Sequence, residues 1–201
     1  MKIIGLTGQT GAGKGAVDAI LEKYGIPSVD TDAVYHEILD TGGDCVKELV
    51  ATFGTKILGA DGKVDRATLA KTVFGKKETP ALLHTLNGIT HKYIMSETKK
   101  RLVAFEKAGA YAAVIDAPLL FEAKIDEWCD LVLGVLADKE IRISRIMARD
   151  HIRREDAVKR VNSQRDDRFF REHCHFVLEN NGSMEELETQ VRNFLARLRG
   201  E

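Results

Sequence analysis

The apolar positions of this chain follow two alternating rhythms. Ile3, Ile4 and Leu6 form a short run that leads straight into glycines, as a buried strand does when it enters a turn. From Lys14 the apolar residues Val17, Ile20, Leu21 and Tyr24 recur at helical spacing, and Gly25 stands where such a helix would end. Ile26 to Val29 predicts a brief second strand. Strand, glycine loop, helix, strand is a βαβ unit, which implies a parallel sheet.

Residues 31–107 read as mostly helical, with a turn at Gly59–Gly62 and two further helices over about 65–74 and 78–107. A continuous apolar run from Tyr111 to Ile115, ending on Asp116, predicts a third strand, and Leu131–Leu136 a fourth. Helical spacing returns over Ile141–Ala148, and a charged helix follows to about Gln164. Phe176–Leu178 is a last short strand. Glu185–Arg199 closes the chain as a helix whose core stripe is Leu187, Val191, Phe194 and Leu198. The fold class is α/β, a parallel sheet flanked by helices. The helical stretch between strands two and three is too long for a simple crossover, so part of it reads as an insertion.

Composition narrows the partners. The 201 residues are 44% hydrophobic and 30% charged, which suits one domain with a core and leaves room for a small insertion. A net charge of −1 supplies no basic field for nucleic acid. The run Ile3–Leu6 is too short for a signal peptide or membrane span, so neither a membrane nor a secreted setting is expected. Cys45, Cys129 and Cys174 are odd in number and widely spaced, without a CxxC pair, which argues against a disulfide framework or zinc site. His173-Cys174-His175 offers ligand types, but no second cluster completes a metal site. A cytoplasmic protein, monomeric or weakly self-associating, is the expectation.

Gly8-Gln9-Thr10-Gly11-Ala12-Gly13-Lys14-Gly15 matches G-x-x-x-x-G-K, between a predicted strand and a predicted helix. Glycines let the backbone curl so that successive N–H groups face an anion, and the following helix adds its positive end. Lys14 supplies a mobile cation for β- and γ-phosphates. Gly11, Ala12, Gly13, Lys14, Gly15 and Ala16 are therefore the candidate ATP-binding residues. A turn that merely joins strand to helix needs neither so many glycines nor the lysine. The position after the lysine normally carries Ser or Thr to ligate Mg²⁺; Gly15 has no side-chain oxygen. Water is one substitute, and Thr10, Asp32 and Asp116 are the nearest side chains that would compensate. Asp116, ending a hydrophobic strand in the manner of a Walker B acid, is the candidate Mg²⁺ ligand; a turn-forming Asp before Pro118 is the alternative.

Beyond the loop stand Val29-Asp30-Thr31-Asp32, Asp61-Gly62-Lys63-Val64-Asp65-Arg66, and Asp116-Ala117-Pro118-Leu119-Leu120-Phe121-Glu122. They are followed by Arg145 to Asp150, Arg160 with Ser163-Gln164, and Asn180-Asn181-Gly182. In this order and at these separations the chain resembles the dephospho-coenzyme A kinases over nearly its whole length. The Asp-x-Asp and Pro-Leu-Leu-Phe-Glu segments are the specific ones.

The resemblance implies phosphate transfer from ATP, with Mg²⁺, to the ribose 3′-hydroxyl of dephospho-coenzyme A, the last step of coenzyme A biosynthesis. It also implies a P-loop kinase core over about 1–32, 108–140 and 172–201, a helical acceptor-binding insertion over about 33–107, and a lid over about 141–171. Three positions depart from the pattern. Besides Gly15, Lys92 follows His91 where the family has His-Pro, and Cys174-His175 stands where it has Ala-Asp.

The residues then take provisional roles. Asp32, just past a strand's C-terminal end, is the candidate catalytic base and acceptor contact, although Asp30 or Asp32 would also serve as the cap of the next helix. Arg142, Arg145 and Arg149, at spacings of three and four, share one helical face; Arg145 and Arg149 are the candidates for neutralising the transferring phosphate, with a solvated charged face the alternative. Arg66, Pro118 and Leu119 are implied in acceptor binding, with a surface ion pair the alternative for Arg66. Asn180 and Gly182 are implied at the adenine by the resemblance, and a helix-leading turn explains them equally well. His36 reads as a surface or packing residue, and His91 as a packing residue with acceptor contact the alternative. Competing functions are another small kinase of the same architecture, or a nucleotide-binding regulator without catalysis.

Overall fold

The computed structural model describes residues 1–74 and 79–200. Its sheet is built outward from β1 (Lys2–Gly8), which pairs in parallel with β3 (Ala112–Asp116) on one side and β4 (Leu131–Leu136) on the other. β5 (Phe176–Glu179) extends the sheet beyond β4, and β2 (Ser28–Asp30) lies outside β3. The order is β2-β3-β1-β4-β5, a five-stranded parallel sheet flanked by helices. The three inner strands are buried on both faces, which is why they read as continuous apolar runs without alternation.

One face is sealed by α1 (Lys14–Lys23) and α9 (Met184–Arg199). Their stripes, Val17-Ile20-Leu21 and Leu187-Val191-Phe194-Leu195-Leu198, pack on Ile4, Leu6, Val114, Leu133 and Val135. α9 begins with a capping box: Ser183 accepts the Glu186 N–H while Glu186 accepts the Ser183 N–H. On the opposite face the thiols of Cys129 and Cys174 lie over Gly5 and Gly134, where an added Cβ would fall 2.8 Å from each sulfur. Burial pushes both thiols up to about 12, so they are packing groups without nucleophilic character.

By internal contacts the chain divides into two compact units. The first comprises Met1–Val29 and Phe105–Glu201, the second Asp30–Ala104. The second unit holds α2 (Thr31–Thr41), α3 (Asp44–Phe53), α4 (Arg66–Val73) and most of α5 (Thr79–Lys107). Leu39, Leu49, Ile57, Leu69 and Val73 form its own core, and a tight turn is closed by a bridge between Leu58 and Val64. The expected start of a helix at residue 78 falls outside the described residues. Within this unit Lys92 pairs with Glu48, which also accepts from Tyr93, so the departure after His91 is filled by a surface ion pair. Burial lowers the pKa of His91.

Several boundaries differ from the pattern. The second strand is Ser28–Asp30, beginning two residues later and ending one later than expected, because Pro27 donates no N–H and instead offers its carbonyl to the Val114 amide. The two helices expected over Ile141–Ala148 and on to about Gln164 are α6 (Lys139–Asp150) and α7 (Arg154–Asn162), parted at His151, whose φ is +53°. α8 (Asp167–His173) is not predicted by spacing at all. It has seven residues and buries only Phe170, so no apolar period can develop; an Asp166 cap on the Phe169 N–H starts it. Among the described residues no helix is long and apolar enough to cross a membrane.

Leu133 is fully buried on β4, in the apolar cluster that the sheet shares with α1 and α9. Replacing it by Ala should lower the unfolding free energy by about 3 kcal/mol, measured by urea denaturation, through lost burial plus the cavity left behind.

Candidate active site

The parallel register fixes where the chemistry collects. Leu6 pairs with Asp116 and Gly8 with Val135, while Leu136 pairs with Glu179. The carboxyl ends of β1, β3, β4 and β5 therefore share one edge, the edge at which open α/β sheets bind ligands. The glycine loop leaves β1 at this edge. Gly11 and Gly13 have φ of +78° and +96°, values open to glycine without strain. Space is as restrictive: a Cβ on Gly11 would lie 2.7 Å from the Arg142 carbonyl oxygen, and one on Gly13 would lie 2.2 Å from the Asn180 amide nitrogen.

The loop is held from outside, and its inner donors are left over. Ala12 donates to the Gln9 carbonyl, while the Ala12 carbonyl accepts from Asn180 Nδ2 at 2.8 Å and Arg145 Nη1 at 3.3 Å. Arg145 also reaches the Gly11 carbonyl at 3.4 Å. Gly13 caps α1 in the left-handed conformation and accepts from Ala16 and Val17. Among the described residues the amides of Gly11, Gly13, Lys14 and Gly15 take no protein acceptor. Unpaired donors at a helix N-terminus, with two cationic side chains alongside, form an anion cup.

Lys14 is ion-paired with Asp116, whose carboxylate is almost wholly buried at the end of β3. Two charges withdrawn from water in this way are costly unless matched, and a phosphate arriving in the cup offers the lysine an alternative anion. Gly15 differs from its neighbours in the loop. Nothing lies within 4 Å of a Cβ built there, so the missing hydroxyl reflects the residue and not a lack of room.

The three arginines of α6 do not act as one face. Arg142 is buried and gives Nε to the Thr10 carbonyl at 3.0 Å. Burial holds its pKa below the ordinary arginine value, partly offset by Asp167. Arg145 braces the loop as described. Arg149, at the helix end, turns to Asp150 at 2.7 Å, which Arg160 also engages. The helix places Arg149 two turns from Arg142, beyond the stretch that covers the loop.

Asn180 is buried against the loop through Ala12, with Oδ1 accepting from Arg145 Nη2 at 3.4 Å. Gly182 precedes the capping box of α9, and a Cβ there would strike the Glu186 carboxylate. Pro118 and Leu119 line a cleft of about 260 Å³ that starts at Gly8 and continues past Phe121, Glu122, Arg165 and Phe169. Leu119 is 61% exposed at this cleft. Arg165 lies over the Phe169 ring at 4.5 Å, and Phe121 meets the same ring edge-on.

In the second unit, the cap of α2 is Asp30, which accepts from the amides of Asp32 and Ala33. Asp32 follows in the first turn and is exposed, its carboxylate relieved of capping. Arg66 bonds His36 at 2.9 Å and pairs with Asp40 at 3.4 Å. His173 stacks on Phe169, and His175 Nδ1 accepts from the Val132 amide. No cluster of three or more metal-ligating His, Cys, Asp or Glu side chains exists among the described residues.

Spacing singled out the loop and Arg145 but assigned no role to Gln9, Gln164 or Asp167, which hold the outer half of the loop. Polar residues carry no period, and only their neighbours in space reveal them.

The dephospho-CoA kinase family profile matches residues 2–186. The chain belongs to the dephospho-CoA kinase family. It is 37% identical over 199 residues to the dephospho-CoA kinase of Listeria monocytogenes serovar 1/2a, a match covering 98% of this chain and 96% of that one. Among solved structures it is similar to TT1252 from Thermus thermophilus, with 33% identity, a TM-score of 0.82, and 98% and 97% of the two chains covered. It is also similar to a dephospho-CoA kinase from Campylobacter jejuni, with 26% identity, a TM-score of 0.72 and 98% of each chain covered. Kinases of this family use ATP, and the cup has the donors for its phosphates.

The two glycines on either side of Lys14 should respond oppositely. Gly13→Ala should abolish ATP binding and lower stability by about 2 kcal/mol, from the strained φ and the collision with Asn180. Gly15→Ala should fold as stably as the parent or slightly better, since a glycine leaves a helix end. Titration calorimetry and thermal melting check both.

Proposed function

We propose that this chain transfers the γ-phosphate of ATP to the ribose 3′-hydroxyl of dephospho-coenzyme A, yielding coenzyme A and ADP in the cytoplasm. The observation that carries the reading is the anion cup: amides of Gly11, Gly13, Lys14 and Gly15 without protein acceptors, beside a lysine paired to the Asp116 carboxylate. A cup of this kind grips a polyphosphate, and family membership supplies the acceptor.

Lys14 exchanges Asp116 for the β- and γ-phosphates when ATP binds and follows the charge as it moves to the leaving oxygen. Arg145, already against the loop, adds a second positive charge, and Arg149 reaches the nucleotide only by leaving Asp150. Asn180 and Gly182 border the adenine end. Asp32 serves as the base: its carboxylate accepts or orients the proton of the 3′-hydroxyl, and its release from capping by Asp30 supports this role. Pro118 and Leu119 offer the acceptor an apolar wall in the cleft that begins at Gly8. Residues from about 33 to 107, with Arg66, form the acceptor-binding insertion, and residues from about 141 to 171 act as the lid.

Mg²⁺ accompanies the nucleotide. The donor set suits it: one carboxylate, Asp116, with open space at Gly15, in keeping with an ion that keeps several waters and takes the rest from phosphate. When bound it neutralises phosphate charge. The chain's part is to present Asp116 once Lys14 has turned away.

Lys14→Ala should cut kcat/KM by about 10³ and Asp32→Asn should cut kcat by about 10² to 10³, in a coupled ADP-release assay with dephospho-coenzyme A. Activity on AMP with none on dephospho-coenzyme A would overturn the acceptor assignment. Gly15→Ser should lower the Mg²⁺ concentration for half-maximal turnover by about threefold, because a hydroxyl then replaces one water; an unchanged requirement would show that the position lies away from the ion.

A further inference from the structure

The phosphate loop has two halves held by different parts of the first unit. Its inner half is braced at Ala12 by Asn180, just past β5, and by Arg145. Its outer half is tied to the segment that joins α7 to α8. Gln9 Nε2 donates to Asp167 Oδ1 at 2.8 Å and to the Arg165 carbonyl at 3.3 Å. The Thr10 amide donates to Gln164 Oε1 at 2.7 Å.

Gln164 closes a ring at this point. Its Oε1 accepts from the Thr10 N–H and, at 3.2 Å, from Arg142 Nη2; Arg142 Nε in turn donates to the Thr10 carbonyl at 3.0 Å. Both backbone polar groups of Thr10 are thereby fixed, one by a side-chain carbonyl and one by a buried guanidinium. The next residue, Gly11, sits at φ +78° with its α-carbon face against the Arg142 backbone. A rotation at Thr10 would swing the Gly11 amide, the first of the cup's unpaired donors. The ring therefore sets the direction in which the cup opens.

We infer that Gln164 is a positioning residue for ATP binding: through its carbonyl it locks the Thr10 peptide and pre-organises the phosphate cup, coupling the end of α7 to the loop. Pre-organisation lowers the ordering cost of binding, so its loss appears in nucleotide affinity ahead of turnover. The side chain is solvent-exposed, so its replacement leaves the core intact. This role rests on the kinase reading above, and the test separates the two.

Gln164→Met keeps the length and removes the acceptor, whereas Gln164→Glu keeps an acceptor able to take both donors. Affinity for a fluorescent ATP analogue and the KM for ATP should weaken about tenfold in Gln164→Met, the scale for losing a hydrogen-bond acceptor shared with a charged group. Its KM for dephospho-coenzyme A, its kcat at saturating ATP and its melting temperature should stay close to wild type. Gln164→Glu should recover most of the ATP affinity. Unchanged ATP affinity in Gln164→Met, or equal losses in both variants, overturns the role while leaving the kinase reading intact. A fall confined to kcat or to acceptor KM overturns it as well. A wild-type protein that binds no ATP overturns both together.

Discussion

Parallel pairing of β1 with β3 and β4 is the constraint from which the rest of the site follows. In a parallel pair the carboxyl ends of neighbouring strands lie side by side, so the loop leaving Gly8 emerges next to Asp116 and within reach of the residues that follow β4 and β5. Lys14 and Asp116 are 102 residues apart in the chain and come into contact through that register. Neither is specified locally as a partner of the other. Burying the three inner strands on both faces holds the register, since a slip of one residue would exchange the face that packs on α1 with the face that carries Cys129 and Cys174.

The glycine loop shows how a polar site is kept both rigid and receptive. Its carbonyls and outer amide are satisfied by Asn180, Arg145, Arg142 and Gln164, so they cost little on burial. The inner amides are left for a ligand. A loop satisfied throughout would bind nothing, and a loop satisfied nowhere would have to be ordered by the ligand at the expense of affinity.

The departures from the family pattern have local explanations. Lys92 pairs with Glu48 on the surface of the second unit. Cys174 fits against Gly134, where the absent side chain leaves room for a sulfur. Gly15 stands in open space, so that position is chemically altered without being structurally strained.

Most of the architecture was legible in the chain itself. Short apolar runs located the five strands of the sheet and helical period the long helices, because burial of one face or two dictates which positions must be apolar. The G-x-x-x-x-G-K motif identified the anion cup, because few other arrangements require both left-handed glycines and a lysine. The short α8, the exact ends of β2 and the parting of Arg149 from Arg142 and Arg145 lay beyond reach, since seven-residue helices and ion pairs leave no period. Which polar side chains complete the site was decided only in three dimensions: the bonds that tie Gln9 and Thr10 to Gln164, Arg165 and Asp167 each span more than 150 positions, and a hydrogen bond depends on distance in space, which residue order does not record.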